Sequence, residues 1–173
     1  MNVLSSFKQV TTFIFDVDGV LTDGTVLVLE SGEMARSMNI KDGYALQLAI
    51  KKGYRIFIVS GSARSAVEKR MNYLGINDVY FGVKDKAAFI AGLAARHGFN
   101  LADCLFMGDD IPDLPVLGSV GLGCYPADSV NDIKAAAQYI SSKGGGEGCV
   151  RDVIEKVLKI NGHWETIPTI ASM

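Results

Sequence analysis

Two aspartates stand two positions apart at the point where an apolar run ends. The run is Thr12-Phe13-Ile14-Phe15, the pattern of a strand buried on both faces, and Asp16-Val17-Asp18-Gly19 follows it. Two like charges beside a buried strand are unfavourable unless a cation neutralises them. Carboxylates suit Mg²⁺, a hard ion that proteins usually hold with few side chains, waters and a substrate phosphate. The pair therefore predicts a magnesium site.

Asp109 is the third carboxylate of the predicted site, because it follows the apolar run Cys104-Leu105-Phe106-Met107 after a single glycine. We predict that Asp16, Asp18 and Asp109 bind the metal. Once an ion screens its charge, one carboxylate can attack an anionic phosphorus and form an aspartyl-phosphate, which splits hydrolysis into two easier displacements. We predict Asp16 as this nucleophile. Asp18 is predicted as the general acid that protonates the leaving alcohol and then, as a base, activates water.

Donors for the phosphoryl oxygens are predicted after another strand. Ser60 and Gly61 follow the apolar run Arg55-Ile56-Phe57-Ile58-Val59, and Lys86 opens a helix-like segment before Asp109. We predict that Ser60, Gly61 and Lys86 bind phosphate and that Lys86 also takes part in catalysis. Each feature alone has an ordinary structural explanation, such as a turn or a surface lysine. Their order along the chain predicts a phosphatase.

Strand-like and helix-like segments alternate along the chain, which predicts an α/β domain with a doubly wound parallel sheet. Ligands of such sheets bind at the carboxyl ends of the strands, where the polar clusters stand. We predict one domain over 1–162 and a tail over 163–173 that shows no pattern and is a candidate for disorder. The fourth predicted strand is Val120-Gly121-Leu122. The predicted helical segments are 44–52, 63–74, 86–97, 130–137 and 150–158.

The segment 25–38 interrupts this alternation. Two extended runs, 25–30 and 33–38, flank Ser31-Gly32, a pair typical of a two-residue turn, so we predict a projecting β-hairpin. Its apolar side chains are numerous for a projecting element: Val26, Leu27, Val28, Leu29, Met34 and Met38. They predict burial either against another subunit or on the chain's own sheet.

Composition argues against several classes of protein. Among 173 residues, 17 are basic and 19 are acidic, so the net charge of -2 lacks the basic excess of a nucleic-acid-binding protein. A secretory signal and a membrane-spanning apolar run are not evident, so we expect no membrane partner and a cytoplasmic location. The three cysteines have no paired spacing and predict reduced thiols.

The motifs, in this order, resemble the four motifs of the haloacid dehalogenase superfamily. The matching residues are Asp16-Val17-Asp18-Gly19, Ser60-Gly61, Lys86, and Gly108-Asp109-Asp110 with Asp113. The resemblance implies that Asp16 is the nucleophile, that Asp18 is the acid and base and binds magnesium through its backbone carbonyl, and that Asp109 completes the metal site. The stretches between the motifs are too short for the lid domains of many relatives, so we expect a capless member.

Further segments are similar to those of the 3-deoxy-D-manno-octulosonate 8-phosphate phosphatases: DGVLTDG (18–24), KDG (41–43), Arg70 with LGI (74–76), and GGEGCVR (145–151). The resemblance implies a small phosphorylated sugar acid as substrate. It also implies a homotetramer whose hairpins associate at the centre and whose glycine-rich segment helps to close a neighbour's site. The substrate contacts that it implies are Asp18, Asn39, Lys41, Asp42, Gly43, Arg70 and Arg151.

One position departs from this family. An arginine usually follows the glycine of the second motif, and this chain has Ser62, with Arg64 as a candidate replacement. The departure leaves open a phosphatase for a nine-carbon, sialic-acid-type 9-phosphate or for a nucleotide. Arg70, Lys41-Asp42 and Arg151 also have structural interpretations, as surface or capping residues.

An alternative of a different class is a non-catalytic regulatory or scaffolding relative. Such a protein has no chemical need for the whole set of Asp16, Asp18, Lys86 and Asp109, and all four are present. The sequence therefore favours an enzyme.

Overall fold

A six-stranded parallel sheet forms the centre of the structure, a computed structural model that describes residues 2–136 and 138–170. Its strands are β1 (Thr12–Phe15), β4 (Arg55–Val59), β5 (Val79–Tyr80), β6 (Cys104–Met107), β7 (Leu122–Tyr125) and β8 (Tyr139–Ile140). Their spatial order is β5-β4-β1-β6-β7-β8. Two further strands, β2 (Leu27–Val28) and β3 (Met34–Ala35), form a separate antiparallel hairpin. The predicted α/β class with a parallel sheet is confirmed.

Helices cover both faces of this sheet and create two cores. They are α1 (Val3–Gln9), α2 (Ile40–Lys51), α3 (Val67–Tyr73), α4 (Lys86–His97), α5 (Leu114–Leu117), α6 (Asn131–Lys134) and α7 (Cys149–Ile160). In β1, Phe13 and Phe15 pack into the core formed with α1, α2, α3 and α7, whereas Ile14 packs into the core formed with α4, α5 and α6. Burial on both faces explains why β1 is apolar at every position. No helix among the described residues has the length and apolarity needed to span a membrane.

Capping residues set the ends of the helices that were predicted best. The side chain of Asp85 accepts from Ala88 N–H at 2.9 Å, and Gly98 ends α4 in a left-handed conformation, so α4 has the predicted bounds. α2 begins four residues before its prediction, because Asn39 caps it by accepting from Lys41 N–H. α6 is shorter than the predicted 130–137, and residue 137 lies outside the described residues.

The prediction of a helix over 63–74 was wrong at its start. α3 begins only at Val67, because the preceding backbone bonds to a neighbouring loop. The carbonyl of Ser60 accepts from Val83 N–H at 3.0 Å, and the carbonyl of Ser62 accepts from Gly82 N–H at 2.8 Å. Carbonyls used in this way cannot form the first turn of a helix.

The fourth predicted strand lies two residues later than expected. Leu122 pairs with Leu105 in the parallel register of β6 and β7, whereas Gly121 belongs to the turn before the strand. A Cβ at Gly121 would lie 1.8 Å from the carbonyl oxygen of Ala102, so this backbone approach requires glycine.

The hairpin is present, but its turn is longer than predicted. Leu29 N–H donates to the carbonyl of Glu33 at 2.9 Å, so the loop is Glu30-Ser31-Gly32 rather than Ser31-Gly32 alone. Gly32 has a φ of 83°, the left-handed conformation that a three-residue hairpin loop needs at this position. Its strands carry Leu27 and Val28 in exposed positions. These two side chains therefore do not pack on the chain's own core, whereas Met38, which belongs to the same prediction, packs against the first core.

The segment from His163 to Ile170 packs on α2, although its sequence shows no pattern. The hydroxyl of Tyr44 donates to the carbonyl of Glu165 and accepts from Ile167 N–H, both at 2.9 Å. Trp164 and Ile167 pack against the first core, and Ile170 is buried in it. Residues 171–173 of the predicted tail lie outside the described residues.

Candidate active site

The predicted site residues emerge together because their strands are neighbours in the sheet. β1 lies between β4 and β6, with Phe15 opposite both Ile58 and Met107. Asp16 N–H still donates to the carbonyl of Met107 at 3.1 Å, so Asp16 leaves β1 directly beside Gly108. The parallel register therefore brings the carboxyl ends of three strands to one edge, as expected for a ligand site in such a sheet.

Lys86 joins two carboxylates at this edge. Its Nζ donates to Oδ2 of Asp16 and to Oδ1 of Asp113, both at 2.7 Å, and all three side chains are buried. Burial alone would lower the pKa of Lys86, but the charges of Asp16 and Asp113 outweigh burial and raise it. The ammonium therefore stays charged between the two carboxylates.

Asp16 is oriented by a second donor. Its Oδ1 accepts from Val17 N–H at 2.7 Å, while Lys86 holds the other oxygen. Burial nevertheless raises the pKa of Asp16 to about 6, with the charge of Asp113 adding to the rise and Lys86 opposing it. One ammonium does not compensate for the carboxylates around it.

Asp109 and Asp113 complete the cluster. Asp113 folds back so that its Oδ2 accepts from Asp109 N–H at 3.0 Å. This approach needs Gly108, because a Cβ there would lie 2.3 Å from the Asp113 carboxyl carbon. Oxygens of Asp16, Asp109 and Asp113 all lie within 4.8 Å of one another. Burial, and then the charges of Asp16, Asp113 and Asp110, raise the pKa of Asp109 to about 7.

This oxygen-only cluster fits a hard divalent cation. Three carboxylates share one ammonium, which leaves excess negative charge in a partly buried site, and this charge adds to the effect of burial in raising the pKa of Asp109. A cation that takes carboxylate oxygens as ligands would remove this excess. Of the predicted metal residues, Asp16 and Asp109 have carboxylates in the cluster.

The carboxylate of Asp18 is directed elsewhere. It forms a two-pronged ion pair with Arg36, which follows β3: Nε lies 2.5 Å from Oδ1 and Nη2 lies 3.2 Å from Oδ2. Arg36 is only 9% exposed and Asp18 is 34% exposed. The pair raises the pKa of Arg36 above its usual value. A metal contact of Asp18 would therefore come from its backbone, as the family resemblance implies.

The loop after β1 is shaped by Gly19. Its φ is 79°, and a Cβ at this position would lie 2.0 Å from Oδ2 of Asp109. Glycine is thus required both for the left-handed backbone and for the approach of the carboxylate. The side chain of Thr22 accepts from Gly19 N–H at 3.3 Å and helps to close the loop.

The glycine-rich segment 144–148 holds the same loop from the other side. Gly146 N–H donates to the carbonyl of Val20 at 3.0 Å. A Cβ at Gly145 would lie 2.1 Å from the carbonyl oxygen of Gly19, so no other residue allows this approach. Asn39, a predicted substrate contact, donates from its side chain to the carbonyl of Gly146 at 3.1 Å. Closure of a neighbour's site by this segment stays a prediction.

Ser60 lies at the end of β4, two positions beyond the residue opposite Phe15. Its buried hydroxyl lies 2.8 Å from the hydroxyl of Ser62, and Ser62 N–H donates to it at 3.2 Å. Gly61 is exposed. Arg64 does not replace the family arginine here, because it is 77% exposed and pairs with Glu68 at 3.3 Å.

The remaining predicted substrate contacts lie at two separate places in the structure. Arg70 lines a cavity of about 300 Å³ together with Arg36 and Met38, beside the hairpin. Lys41 is exposed at the first turn of α2, next to Asn39. Arg70 and Lys41 are thus placed on the surface around the hairpin and the glycine-rich segment.

Asp42, Gly43 and Arg151 lie where α2 meets α7. Asp42 is buried, and its Oδ1 accepts from Arg151 N–H at 2.7 Å, so it caps α7. Burial raises the pKa of Asp42 to about 6. The guanidinium of Arg151 lies 5.4 Å from the ring centre of Trp164 and pairs with Glu155. Asp42 thus caps α7 rather than the start of its own helix, Gly43 is buried within α2, and the substrate contacts of these residues stay predictions.

Two contacts of the site were missed from the sequence. Asp113 was noted only as part of the fourth motif, although a separation of four residues is compatible with a contact between Asp113 and Asp109 across a tight turn. Arg36 had no signal, because it reaches Asp18 across 18 positions from an irregular segment.

No protein-family model matches the chain. A 3-deoxy-D-manno-octulosonate 8-phosphate phosphatase of Escherichia coli strain K12 is 31% identical over 161 residues, which cover 93% of this chain and 86% of the relative. The crystal structure of the phosphatase of that name from Yersinia pestis has a TM-score of 0.91 at 31% identity, covering 94% of this chain and 88% of that one. The phosphatase from Moraxella catarrhalis, solved in complex with a magnesium ion, a phosphate ion and KDO, has a TM-score of 0.88 at 32% identity and covers 91% of each chain.

Asp109→Asn tests the excess of negative charge. Because the pKa of Asp109 is raised to about 7, the folded chain holds this proton more tightly than the unfolded chain. Ionisation therefore opposes folding: the destabilisation grows as the pH rises from about 4, where the carboxyl of the unfolded chain ionises, to about 7, and it levels off above that pH. We expect Asp109→Asn to raise the melting temperature of the metal-free protein at pH 8 by on the order of 5 °C, and by less at pH 5.

The control for this measurement is Asp132→Asn, which removes an exposed carboxylate on α6 and should change little. In excess Mg²⁺ the order of wild type and Asp109→Asn should reverse, because only the wild type gains the full free energy of ion binding. A metal-free wild type that is more stable than Asp109→Asn at pH 8 would contradict the electrostatic account.

Proposed function

Because the chain belongs to the family of the 3-deoxy-D-manno-octulosonate 8-phosphate phosphatases, within the haloacid dehalogenase superfamily, we propose that it is a magnesium-dependent phosphatase of a sugar-acid phosphate monoester. The observation that carries the proposal is the cluster in which Lys86 bridges Asp16 and Asp113 while Asp109 lies within 4.8 Å. The substrate that we propose is 3-deoxy-D-manno-octulosonate 8-phosphate, the ester for which these relatives are named.

Asp16 is the nucleophile in this proposal. Two donors, Val17 N–H and Lys86 Nζ, hold one oxygen each and so direct the carboxylate from the end of β1. Attack on phosphorus forms an aspartyl-phosphate and breaks the bond to the leaving oxygen. Lys86 then neutralises charge on the phosphoryl oxygens, while the Ser60 hydroxyl and Gly61 backbone donate to them.

Asp18 is the acid and base. It follows Asp16 by two positions, and at 34% exposure its carboxylate is the more accessible of the two. It protonates the leaving alkoxide in the first step. In the second step it takes a proton from the water that attacks phosphorus and releases Asp16.

The residues that would hold Mg²⁺ are Asp16 and Asp109, through their carboxylates, and Asp18, through its backbone carbonyl. When bound, the ion screens the negative charge of the nucleophile and of the phosphate. Asp113 keeps Lys86 in place, because its other oxygen is already held by Asp109 N–H. That the Moraxella catarrhalis relative was solved with magnesium, phosphate and KDO supports a magnesium site, whereas the choice of residues rests on the cluster in this chain.

A substrate comparison tests the function. Phosphate release is measured with octulosonate 8-phosphate, a nonulosonate 9-phosphate and an aryl phosphate, with Mg²⁺ and with a chelator. We expect octulosonate 8-phosphate to lead by about tenfold or more in kcat/KM, which corresponds to about 1.4 kcal/mol of transition-state preference. We expect Asp16→Asn to lose about 10³-fold or more in kcat, because the nucleophile is removed.

Asp132→Asn is the matched control and should retain wild-type rates. If the nine-carbon ester is the better substrate, the specificity follows the second candidate, a phosphatase for a sialic-acid-type 9-phosphate, which Ser62 favours. If no ester is hydrolysed in the presence of Mg²⁺, the phosphatase proposal fails and a regulatory or scaffolding role takes its place.

The hairpin supports a homotetramer as part of the proposal. Leu27, Val28 and Met34 are 65%, 62% and 55% exposed, an apolar surface on a short projecting element. Association of four hairpins would bury these side chains, as the family resemblance implies.

Light scattering tests this assembly. We expect the wild type to have about four times the mass of the 18.5 kDa chain, and Leu27→Asp with Val28→Asp to have the mass of the monomer. Leu4→Asp, at an equally exposed position of α1, is the control and should leave the mass unchanged. A monomeric wild type would refute the tetramer without affecting the proposed chemistry.

A further inference from the structure

Arg36 is a cation of the site that the mechanism above does not use. It comes from the segment after β3 and places two donors of its guanidinium on the two oxygens of Asp18, at 2.5 and 3.2 Å. The side chain is 9% exposed, so it is held in place rather than free in solvent. A nearly buried arginine that pairs with Asp18, the proposed general acid and base, is expected to have a function of its own.

The position of Arg36 is on the leaving-group side of the site. Asp18 must lie close to the bridging oxygen in order to protonate it, so a group beside Asp18 faces the part of the substrate attached to that oxygen. Arg36 lines a cavity of about 680 Å³ between the hairpin and the segment 62–66, and it also lines the smaller cavity that contains Arg70. The larger cavity has the volume of a small-molecule site.

This cavity lacks the cation that the family resemblance leads one to expect at position 62. Ser62 is uncharged, and its hydroxyl is engaged with Ser60. Arg64 is directed to Glu68 and is 77% exposed. Arg36, in contrast, is nearly buried and lines the cavity, and its guanidinium already pairs with a carboxylate, that of Asp18.

We propose that Arg36 is the residue that selects a carboxylate-bearing substrate, by exchanging the carboxylate of Asp18 for that of the sugar acid. This inference rests on the proposed function. One carboxylate replaces another on the same planar fork, so both charge-assisted hydrogen bonds are kept and little desolvation is added. The exchange also frees both oxygens of Asp18, to which Arg36 donates.

The exchange couples recognition to proton transfer. When the carboxylate of the substrate takes the place of Asp18 on Arg36, the freed Asp18 takes up a proton from solvent and can donate it to the leaving oxygen. A phosphate ester without a carboxylate leaves the pair intact, so Asp18 stays engaged. Arg36 therefore sets the substrate preference by contacting the carboxylate of the substrate directly. This contact requires both donors of the guanidinium.

The test compares two phosphate esters that differ in the carboxylate. Values of kcat and KM are measured for octulosonate 8-phosphate and for a hexitol 6-phosphate, a polyol ester without a carboxylate, in the wild type, Arg36→Gln and Arg36→Lys. We expect Arg36→Gln to reduce the ratio of the two kcat/KM values by roughly 10- to 100-fold, mainly through KM of the sugar acid ester. Arg36→Lys keeps the charge but not the fork and should show an intermediate loss, which also serves if Arg36→Gln does not fold.

Arg96→Gln, which removes an exposed arginine of α4 that does not line this cavity, is the control and should keep the wild-type ratio, whereas Arg64→Gln tests the other arginine that lines the cavity. Equal losses for both esters in Arg36→Gln would mean that Arg36 acts only by holding Asp18, and the inference would be wrong while the phosphatase stands. A loss of the ratio in Arg64→Gln instead would assign the role to Arg64. A wild type that hydrolyses neither ester would overturn the proposed function and this inference together.

Discussion

Crowded negative charge at the end of buried strands is the constraint on which the rest of the site depends. Asp16, Asp109 and Asp113 bring oxygens within 4.8 Å of one another, and Lys86 is the ammonium that contacts two of them. Such an arrangement opposes folding unless a further cation shares it. Burial and the neighbouring charges raise the pKa values of Asp16 and Asp109, and carboxylates perturbed in this way are characteristic of functional sites.

Close backbone packing is how the fold keeps these charges together. Gly19 and Gly108 let carboxylates approach to distances at which any side chain would collide, and Gly145 lets a distant segment press on the Gly19 loop. The parallel register of β1 and β6 sets the starting points of both acidic loops. Asp16 directly follows β1, whereas Asp18 lies two residues further along, in the loop that Gly19 shapes.

The parts that could be predicted from the sequence are those with a local cause. β1, β4 and β6 were predicted with their observed bounds, because burial on both faces leaves an unbroken apolar run. The two-residue strands β5 and β8 lie at the sheet edges and are too short for such a pattern. Within the site, strand ends indicated Asp16, Ser60 and Asp109. The pairing of Arg36 with Asp18, and the stacking of Arg151 on Trp164, depend on how distant segments meet, which neighbouring residues do not encode.

Trapping the covalent intermediate tests directly whether Asp16 is the nucleophile. Protein mixed with octulosonate 8-phosphate and Mg²⁺ is quenched in acid during turnover and treated with borohydride, which reduces an aspartyl-phosphate to homoserine, and the modified position is identified by peptide mass spectrometry. If Asp16 is the nucleophile, homoserine appears at position 16, and only in the presence of substrate. Modification of another aspartate, or phosphate release at full rate while Asp16 is never modified, would contradict it.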